Sequence, residues 1–334
     1  MDAKNGNLKG DNSSLTGSRN SFGAGDNLSV SNSSNSFVAG DNSSLSNGYN
    51  TTVLGDNSQA AGVNNCVNGN GSSVNGRNSC VRGNNSKANG ANSSVVGDNS
   101  SAIGDNVTVI GDGANANGEN SSAIGTNARS FGASSSAYGN NANAIGDNAS
   151  ARGDNSVAMG GGAIANGLNS RASGNNAIAV GTNAVANGDS SVALGANSSA
   201  VAGSVAIGSG AQANERGTVS FGTPTQPGRL VNVAPAIAPS DAVNLQQMNN
   251  GLNSVSRQAE RGIATAIAMT NVMTPLDAGK SFAVNVGIGA YGSGQAIAGG
   301  ATARVSDNLK ASLGFGKSTA GGNLGFGAGM SYQW

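Results

Sequence analysis

Cys66 and Cys80 are the only two cysteines among the 334 residues, and they stand 14 apart. Thiols pair as disulfides, ligate soft metals or act as nucleophiles, and the last two uses need partner groups. The partners are missing. The chain has no His, which removes the commonest general base and the commonest metal ligand. No carboxylate pair, Ser–His arrangement or Cys/His cluster supports catalysis. No catalytic residue, metal ligand or cofactor site is expected, and the chain reads as a non-enzyme.

Other features invite chemistry without sustaining it. Gly-Asp-Asn units such as Gly97-Asp98-Asn99 suggest calcium, but calcium-binding roll repeats run to nine residues and place Asp differently. The glycine-rich repeats suggest phosphate, but no Gly-Lys-Ser/Thr follows them. Arg77, Arg82 and Lys87 make a weak basic group that reads more simply as solvated turn residues. Lys plus Arg (17) balance Asp plus Glu (17), so steering toward nucleic acid is not expected. Phe131 and Tyr138 read either as exposed contact aromatics or as residues packed between protomers.

The elements that must position these residues are repeats. With 54 Gly, 4% aromatics and 10% charge, the chain cannot build one ordinary hydrophobic core. Glycine recurs every seven residues from Gly48 to Gly195 without interruption. Two residues before each of these, from Val53 to Ala193, stands Ala or Val, except at Ser130. Two residues after, Asn dominates, as at Asn57, Asn64, Asn78, Asn85, Asn92 and Asn99. Residues 8–47 carry a looser version with a spacing of seven to eight.

A collagen helix needs Gly at every third position, and a coiled coil does not tolerate so much Gly and Asn. A solenoid of short strands remains, with corners at Gly and Asn, which accept positive φ. No Pro precedes Pro224, so the ladder keeps its donors. The residue before Gly often alternates, as in Ile110, Asn117, Ile124 and in Val180, Asn187, Leu194. Two heptads therefore make one turn of 14 residues, its apolar half facing a buried surface and its polar half water. The alternation breaks at Ile124–Ile145 and Asn166–Ser173, and a change of register is the reading there. Ala and Val fill a narrow interior. Cys66 and Cys80 then occupy one position on successive rungs about 4.8 Å apart, inside the disulfide window of about 4.4–6.8 Å. A bond and two free thiols packed as small apolar groups are both open.

Downstream the pattern changes. All five prolines fall between Pro224 and Pro275. Ser240 or Asp241 reads as a helix N-cap. Leu245, Met248, Leu252, Val255, Ala259, Gly262, Ala266, Met269 and Met273 form an a/d seam, thinned in the middle as if helices share a confined space. Four segments of period two follow. Phe282, Val284, Val286 and Ile288; Ile297, Ala301, Ala303 and Val305; Leu309, Ala311, Leu313 and Phe315; and Leu324, Phe326, Ala328, Met330, Tyr332 and Trp334 alternate with small or polar residues. This is the pattern of transmembrane β-strands. Phe282, Val284, Val286, Ile288, Leu313, Phe315, Phe326, Met330, Tyr332 and Trp334 are assigned to the lipid side. Four strands cannot close a barrel, and open edges are not tolerated in lipid. Three chains would supply twelve.

The head repeats, exemplified by Asn99-Ser100-Ser101-Ala102-Ile103-Gly104 and Asn120-Ser121-Ser122-Ala123-Ile124-Gly125, resemble those of the YadA-like trimeric autotransporter adhesins over roughly residues 8–222. Arg229–Ala234 and Ser240–Leu245 look like that family's neck, apart from the insertion Pro235-Ala236-Ile237-Ala238-Pro239. Residues 243–334 resemble its anchor, ending in the aromatic Trp334. The resemblance implies a mainly β chain: a left-handed parallel β-roll head (1–222, about 14 turns), a neck (223–242), a trimeric coiled coil and lumen helix (243–274), and anchor strands (275–334). Those strands would form a 12-stranded trimeric transmembrane β-barrel. It further implies a homotrimer in outer-membrane lipid, with the head on the cell surface binding host matrix proteins or cell surfaces, or mediating autoaggregation. The exported compartment would favour the Cys66–Cys80 bond. The alternative is a structural or ice-binding solenoid, which needs a Thr ladder; Thr is sparse here. No apolar h-region is visible at the start of the chain, so no signal peptide is read there.

Overall fold

The computed structural model describes residues 6–334. Met1–Asn5, where the leader was sought, lie outside them. The chain forms two compact units that meet in sequence at Arg229 and Leu230.

The first unit is a solenoid of 31 short strands, β1 (Asn7–Lys9) to β31 (Val219–Ser220). Odd-numbered strands stack into one 16-stranded parallel sheet and even-numbered strands into a 15-stranded one. The stack is thus slightly taller than 14 turns. Register partners lie 14 residues apart from Thr52↔Cys66 to Ile178↔Val192 on the odd sheet. The first turns take 15, as in Phe22↔Phe37, and one late turn takes 13, Val192↔Val205. The expected register changes at Ile124–Ile145 and Asn166–Ser173 do not occur: Ser122↔Ser136, Asn143↔Val157 and Arg171↔Val185 all keep the 14-residue step. The residue before Gly points outward, so its polarity is free to vary without disturbing the pairing. It is exposed in both halves of the turn, as Ile110 and Asn117 show. The apolar half therefore has no buried counterpart within one chain.

The sharp corners follow from the Gly-x-Asn unit. Asn99 has φ 56°, a left-handed conformation that Asn tolerates. Gly97 has φ 140°, and a Cβ there would stand 2.6 Å from the carbonyl carbon of Gly111 on the next rung. No other residue fits both demands.

Two columns fill the interior. The first holds the residue two before each Gly, Ala or Val from Val53 to Ala193 except at Ser130, all buried. The second, four residues before Gly, begins as a hydroxyl ladder. Ser58 Oγ donates to the Gly69 carbonyl at 2.6 Å and accepts the Ser72 N–H at 3.3 Å. Ser72 repeats this with Gly83 and the Ser86 N–H. Val107 and Ala114 interrupt the ladder, and hydroxyls that recur beyond them donate within their own turn, as Ser121 Oγ to the Gly118 carbonyl at 2.6 Å and Ser191 Oγ to the Gly188 carbonyl at 2.6 Å. From the break onward the backbone N–H bends back within its own turn, as Ala114 to Gly111 at 3.3 Å and Ala142 to Gly139 at 3.2 Å. Buried backbone donors must find acceptors, and the two halves of the stack solve this differently. Valine predominates in the first column from Val53 to Val109, and alanine takes it over from Ala116 onward.

In the second unit, the helix α1 (Leu245–Thr270) is capped by Asn244, whose side chain accepts the Gln247 N–H at 2.9 Å. This corrects the expected cap at Ser240 or Asp241. Asp241 is engaged upstream, where its Oδ2 accepts from Ile237 and Ala238 N–H at 3.0 Å each. The Pro-flanked insertion is also tied to the helix, since Gln247 exchanges two hydrogen bonds with Ala236.

Those two N–H donors, Ala238 first and Ile237 second, hold the Asp241 carboxyl below the usual carboxylate range. The sign follows from that depression. This turn contact is fully effective above the unfolded value near about 4 and is lost as pH falls through the lower folded value. Amide exchange at Ile237 and Ala238, corrected for intrinsic rate, should rise on acidification below pH about 4. Asp241→Asn should raise it already at neutral pH. Unchanged exchange in both cases would remove this role from Asp241.

Four antiparallel strands complete the unit: β32 (Phe282–Tyr291), β33 (Gly294–Arg304), β34 (Leu309–Ser318) and β35 (Gly325–Tyr332). They pair in sequence order, so β32 and β35 each keep one unpaired edge.

Candidate functional site

The C-terminal sheet has two contrasting faces. On one, Phe282, Val284, Val286, Ile288, Leu313, Phe315, Phe326, Met330, Tyr332 and Trp334 all stand exposed, Val286 at 76% and Met330 at 78%. Large apolar side chains this open on strands of 10, 11, 10 and 8 residues are costly in water and suited to hydrocarbon. No described helix is long and apolar enough to cross a membrane.

The other face is glycine, and α1 lies against it. A Cβ on Gly289 would stand 2.5 Å from the Ala268 amide nitrogen, and one on Gly287 2.6 Å from the Ala268 carbonyl oxygen. Ala264, Ala268 and Val272 are fully buried in this contact. Polar side chains then fix the helix end. Asn285 Nδ2 donates to the Val272 carbonyl at 3.2 Å and to Thr274 Oγ1 at 2.9 Å. Asn271 Nδ2 donates to the Ile288 carbonyl at 2.9 Å. At the other end of the contact, the Glu260 carboxylate accepts from Ser293 N–H at 2.9 Å and Ser293 Oγ at 2.6 Å.

The seam residues divide. Leu245, Met248, Leu252 and Val255 are exposed along one stripe, with Ala259, Gly262 and Ala266 beyond them. Met269 and Met273 turn instead toward the chain's own sheet. Met269 lies over Gly316 and Gly325, and the Met273 methyl lies over Gly314 and Gly327. Ile263 and Ile267 remain exposed at the level where those methionines were expected to continue the seam.

On the solenoid, both sheets present an outward face. The odd face carries Val96, Ile110, Tyr138, Ile164, Val180, Leu194 and Ile207, all exposed. The even face is mostly Ser, Asn and Gln up to β16 (Asn115–Asn117). Phe131 and Tyr138 fall on opposite faces, and the Arg152 guanidinium lies 5.9 Å from the Tyr138 ring centroid. Arg77, Arg82 and Lys87 do not form a patch. Arg77 is in a turn, Arg82 on the odd face and Lys87 on the even face. Threonine makes no ladder, since the odd strands carry only Thr52 and Thr108.

The turn carboxylates have a structural use. Asp26, Asp41 and Asp56 each accept a backbone N–H from the same turn position one rung earlier, at 2.7–2.9 Å. Asp98 and Asp112 do the same. The tripeptide Gly-Lys-Ser does occur, at 279–281 and 316–318, but it precedes β32 in one case and lies within β34 in the other. Neither copy opens a helix, as a phosphate loop requires.

Cys66 and Cys80 are register partners on β9 (Cys66–Asn68) and β11 (Cys80–Arg82). Their Cα atoms are 4.5 Å apart and the two side chains meet as a disulfide.

Two family profiles match the chain. The YadA-like membrane anchor domain covers residues 275–334. The YadA head domain repeat covers 46–64, 83–100, a continuous run from 102 to 170, 172–198 and 202–223. Together they span more than half of the chain. Among solved structures, the collagen-binding domain of the Yersinia adhesin YadA is 25% identical, covering 52% of this chain and 86% of its own, with a TM-score of 0.34. The membrane anchor domain of the trimeric autotransporter YadA is 22% identical, covering 31% of this chain and 97% of its own, with a TM-score of 0.26. That is a family of adhesins and not of enzymes, and from its head repeats to its last strand this chain belongs to it: a YadA-like trimeric autotransporter adhesin.

Proposed function

We propose that three copies of this chain close one twelve-stranded barrel in an outer membrane and display three heads outside the cell, where they bind host matrix proteins, host-cell surfaces or other bacterial cells. The observation that carries this is the C-terminal sheet. It has two open edges, an apolar outer face and a glycine inner face that admits a helix. Open edges in hydrocarbon leave backbone groups unsatisfied at several kcal/mol each, so further copies must pair with β32 and β35. Three helices then share the lumen, with the stripe from Leu245 to Val255 as their mutual contact above it. The odd face of the head, being the more apolar, packs against the other two heads of the trimer. Three weak contacts from one trimer give avidity, which suits a repetitive surface without a deep pocket. The neck, stalk and anchor follow the boundaries at 222/223, 242/243 and 274/275. The disulfide forms on export.

The reading is tested on cells displaying the full chain. Protease added to intact cells should remove the head and leave a protected fragment containing Lys280–Trp334. The cells should adhere to immobilised matrix proteins or to one another, and neither thiol should alkylate before reduction. A head that resists protease on intact cells and is cleaved only after lysis would reject surface display. Display without adherence or aggregation would reject adhesion.

A further inference from the structure

Charge is sorted by position in the head. None of its 31 strands contains Asp or Glu; the described acidic residues of the head all lie in the turns. The strands carry only cations: Lys9, Arg82 and Arg152 on the odd sheet, and Lys87, Arg129 and Arg171 on the even sheet. Most turn aspartates accept a backbone N–H of the neighbouring rung, as Asp147 does from Ala133 N–H at 2.9 Å. The charges on the even face are therefore all cations, with the acidic residues kept to its edges.

One stretch of that face differs from the rest. On β18 (Arg129–Ser130), β20 (Asn143–Ala144), β22 (Val157–Ala158) and β24 (Arg171–Ala172), the first outward position reads Arg129, Asn143, Val157, Arg171 in register. The next outward position reads Phe131, Ile145, Met159. Phe131 is 39% exposed and Ile145 42%. The backbone holds these three in line, with Phe131 N–H donating to the Ala144 carbonyl and Ile145 N–H to the Ala158 carbonyl, both at 2.8 Å. The Arg171 side chain is steadied by Nε donating to Ser173 Oγ at 3.0 Å.

Arg129 and Arg171 are three rungs apart, about 14 Å at the parallel-strand spacing. An extended peptide advances about 3.4 Å per residue and shows alternate side chains to one side. Its residues i and i+4 therefore span about the same 14 Å, with residue i+2 between them. We propose that this part of the even face docks an extended peptide segment bearing acidic residues at i and i+4 and an apolar residue at i+2. The segment runs along the stack, its carboxylates on Arg129 and Arg171 and its apolar side chain against Ile145 and its neighbours. The proposal rests on the adhesion reading, and on the odd face being the one turned toward the trimer axis.

The test uses the full-length trimer extracted in detergent and a labelled peptide containing Glu-Thr-Leu-Thr-Glu. Binding by fluorescence anisotropy should weaken with salt and fall by about tenfold in the double variant Arg129→Glu, Arg171→Glu, since each exposed pair contributes modestly. A peptide with Lys-Thr-Leu-Thr-Lys should recover binding to that variant and bind the unaltered head poorly. Shifting the two acids to i and i+3 should also weaken binding. Equal binding to both heads, or no binding to the unaltered head at millimolar peptide, would overturn the proposal. So would a sulfated polysaccharide that depends on the same two arginines while the peptide does not bind. A double variant that no longer trimerises would place this face at the axis and likewise overturn it; Arg129→Gln, Arg171→Gln guards against simple misfolding. Cells that still adhere in any of these cases leave the adhesion reading standing.

Discussion

Gly289→Val will abolish the heat-resistant trimer and lower surface display of the head by at least about tenfold, with overpacking costing about 1–3 kcal/mol at each site. The new side chain points at the backbone of α1, where the Ala264 carbonyl and the Ala268 amide already touch the glycine. Backbone cannot rotate aside as a side chain can. Each helix would have to lift off its sheet, and the proposed lumen holds two others that would block it. Gly299→Val on β33 is the internal control. It adds the same bulk to the outer, apolar face of the sheet, where the nearest atoms belong to the Phe315 ring, 3.0 Å from the new Cβ. That ring is free to turn into lipid, so display should remain near normal. The two variants are compared by semi-denaturing gel and by protease shaving of intact cells. Equal display would mean that the helix does not sit in the lumen.

Ala151→Phe will open the head to protease within a few rungs of residue 151. Ala151 is fully buried, stacked in register between Ala137 and Ala165. That part of the interior is lined by alanine on successive rungs, so a phenyl ring has no space, and overpacking costs at least about 1–3 kcal/mol. A solenoid couples each rung only to its neighbours, so the damage stays local. Limited proteolysis read by mass spectrometry should show new cuts near residues 137–165 and none near Val53. Val81→Ala tests the wider, valine-lined half. It removes two methyl groups and should cost about 2 kcal/mol, transfer and cavity together. An Ala151→Phe head as resistant as the original would contradict the packed interior.

The repeat length, the inward Ala or Val, the positive-φ Asn and the proximity of Cys66 to Cys80 could all be read from spacing, because each is fixed within one 14-residue turn. The exposed apolar face of the C-terminal strands was legible for the same reason: a period of two leaves no choice of face. The helix was harder. Ala264, Ala268 and Val272 form a stripe with the same spacing as the seam, and both stripes are apolar or small. Period alone does not say which stripe meets the sheet and which meets another helix, so Met269 and Met273 were placed on the seam. The capping residue was missed because Asp241, a good N-cap type, is used by the Pro-flanked turn at Ile237 and Ala238. Asn244 caps the helix in its place. The serine column four residues before Gly passed unnoticed because its chemistry lies in bonds to the next rung, which adjacent residues do not reveal.

The 14-residue step in register has a consequence for how such a head changes size. Within each half of the stack, successive rungs present one another with the same kind of corner, inward column and ladder of donors. A gain or loss of one whole step leaves both flanking rungs with acceptable neighbours. Each adds or removes about 4.8 Å of reach. A change of seven residues would exchange the odd and even faces for everything beyond it, and a change of one must be absorbed at a corner, as in the first turns of 15 and the late turn of 13. Copy number in units of fourteen is therefore the coordinate along which this protein lengthens with the least rearrangement, and reach becomes a quantity inherited by counting.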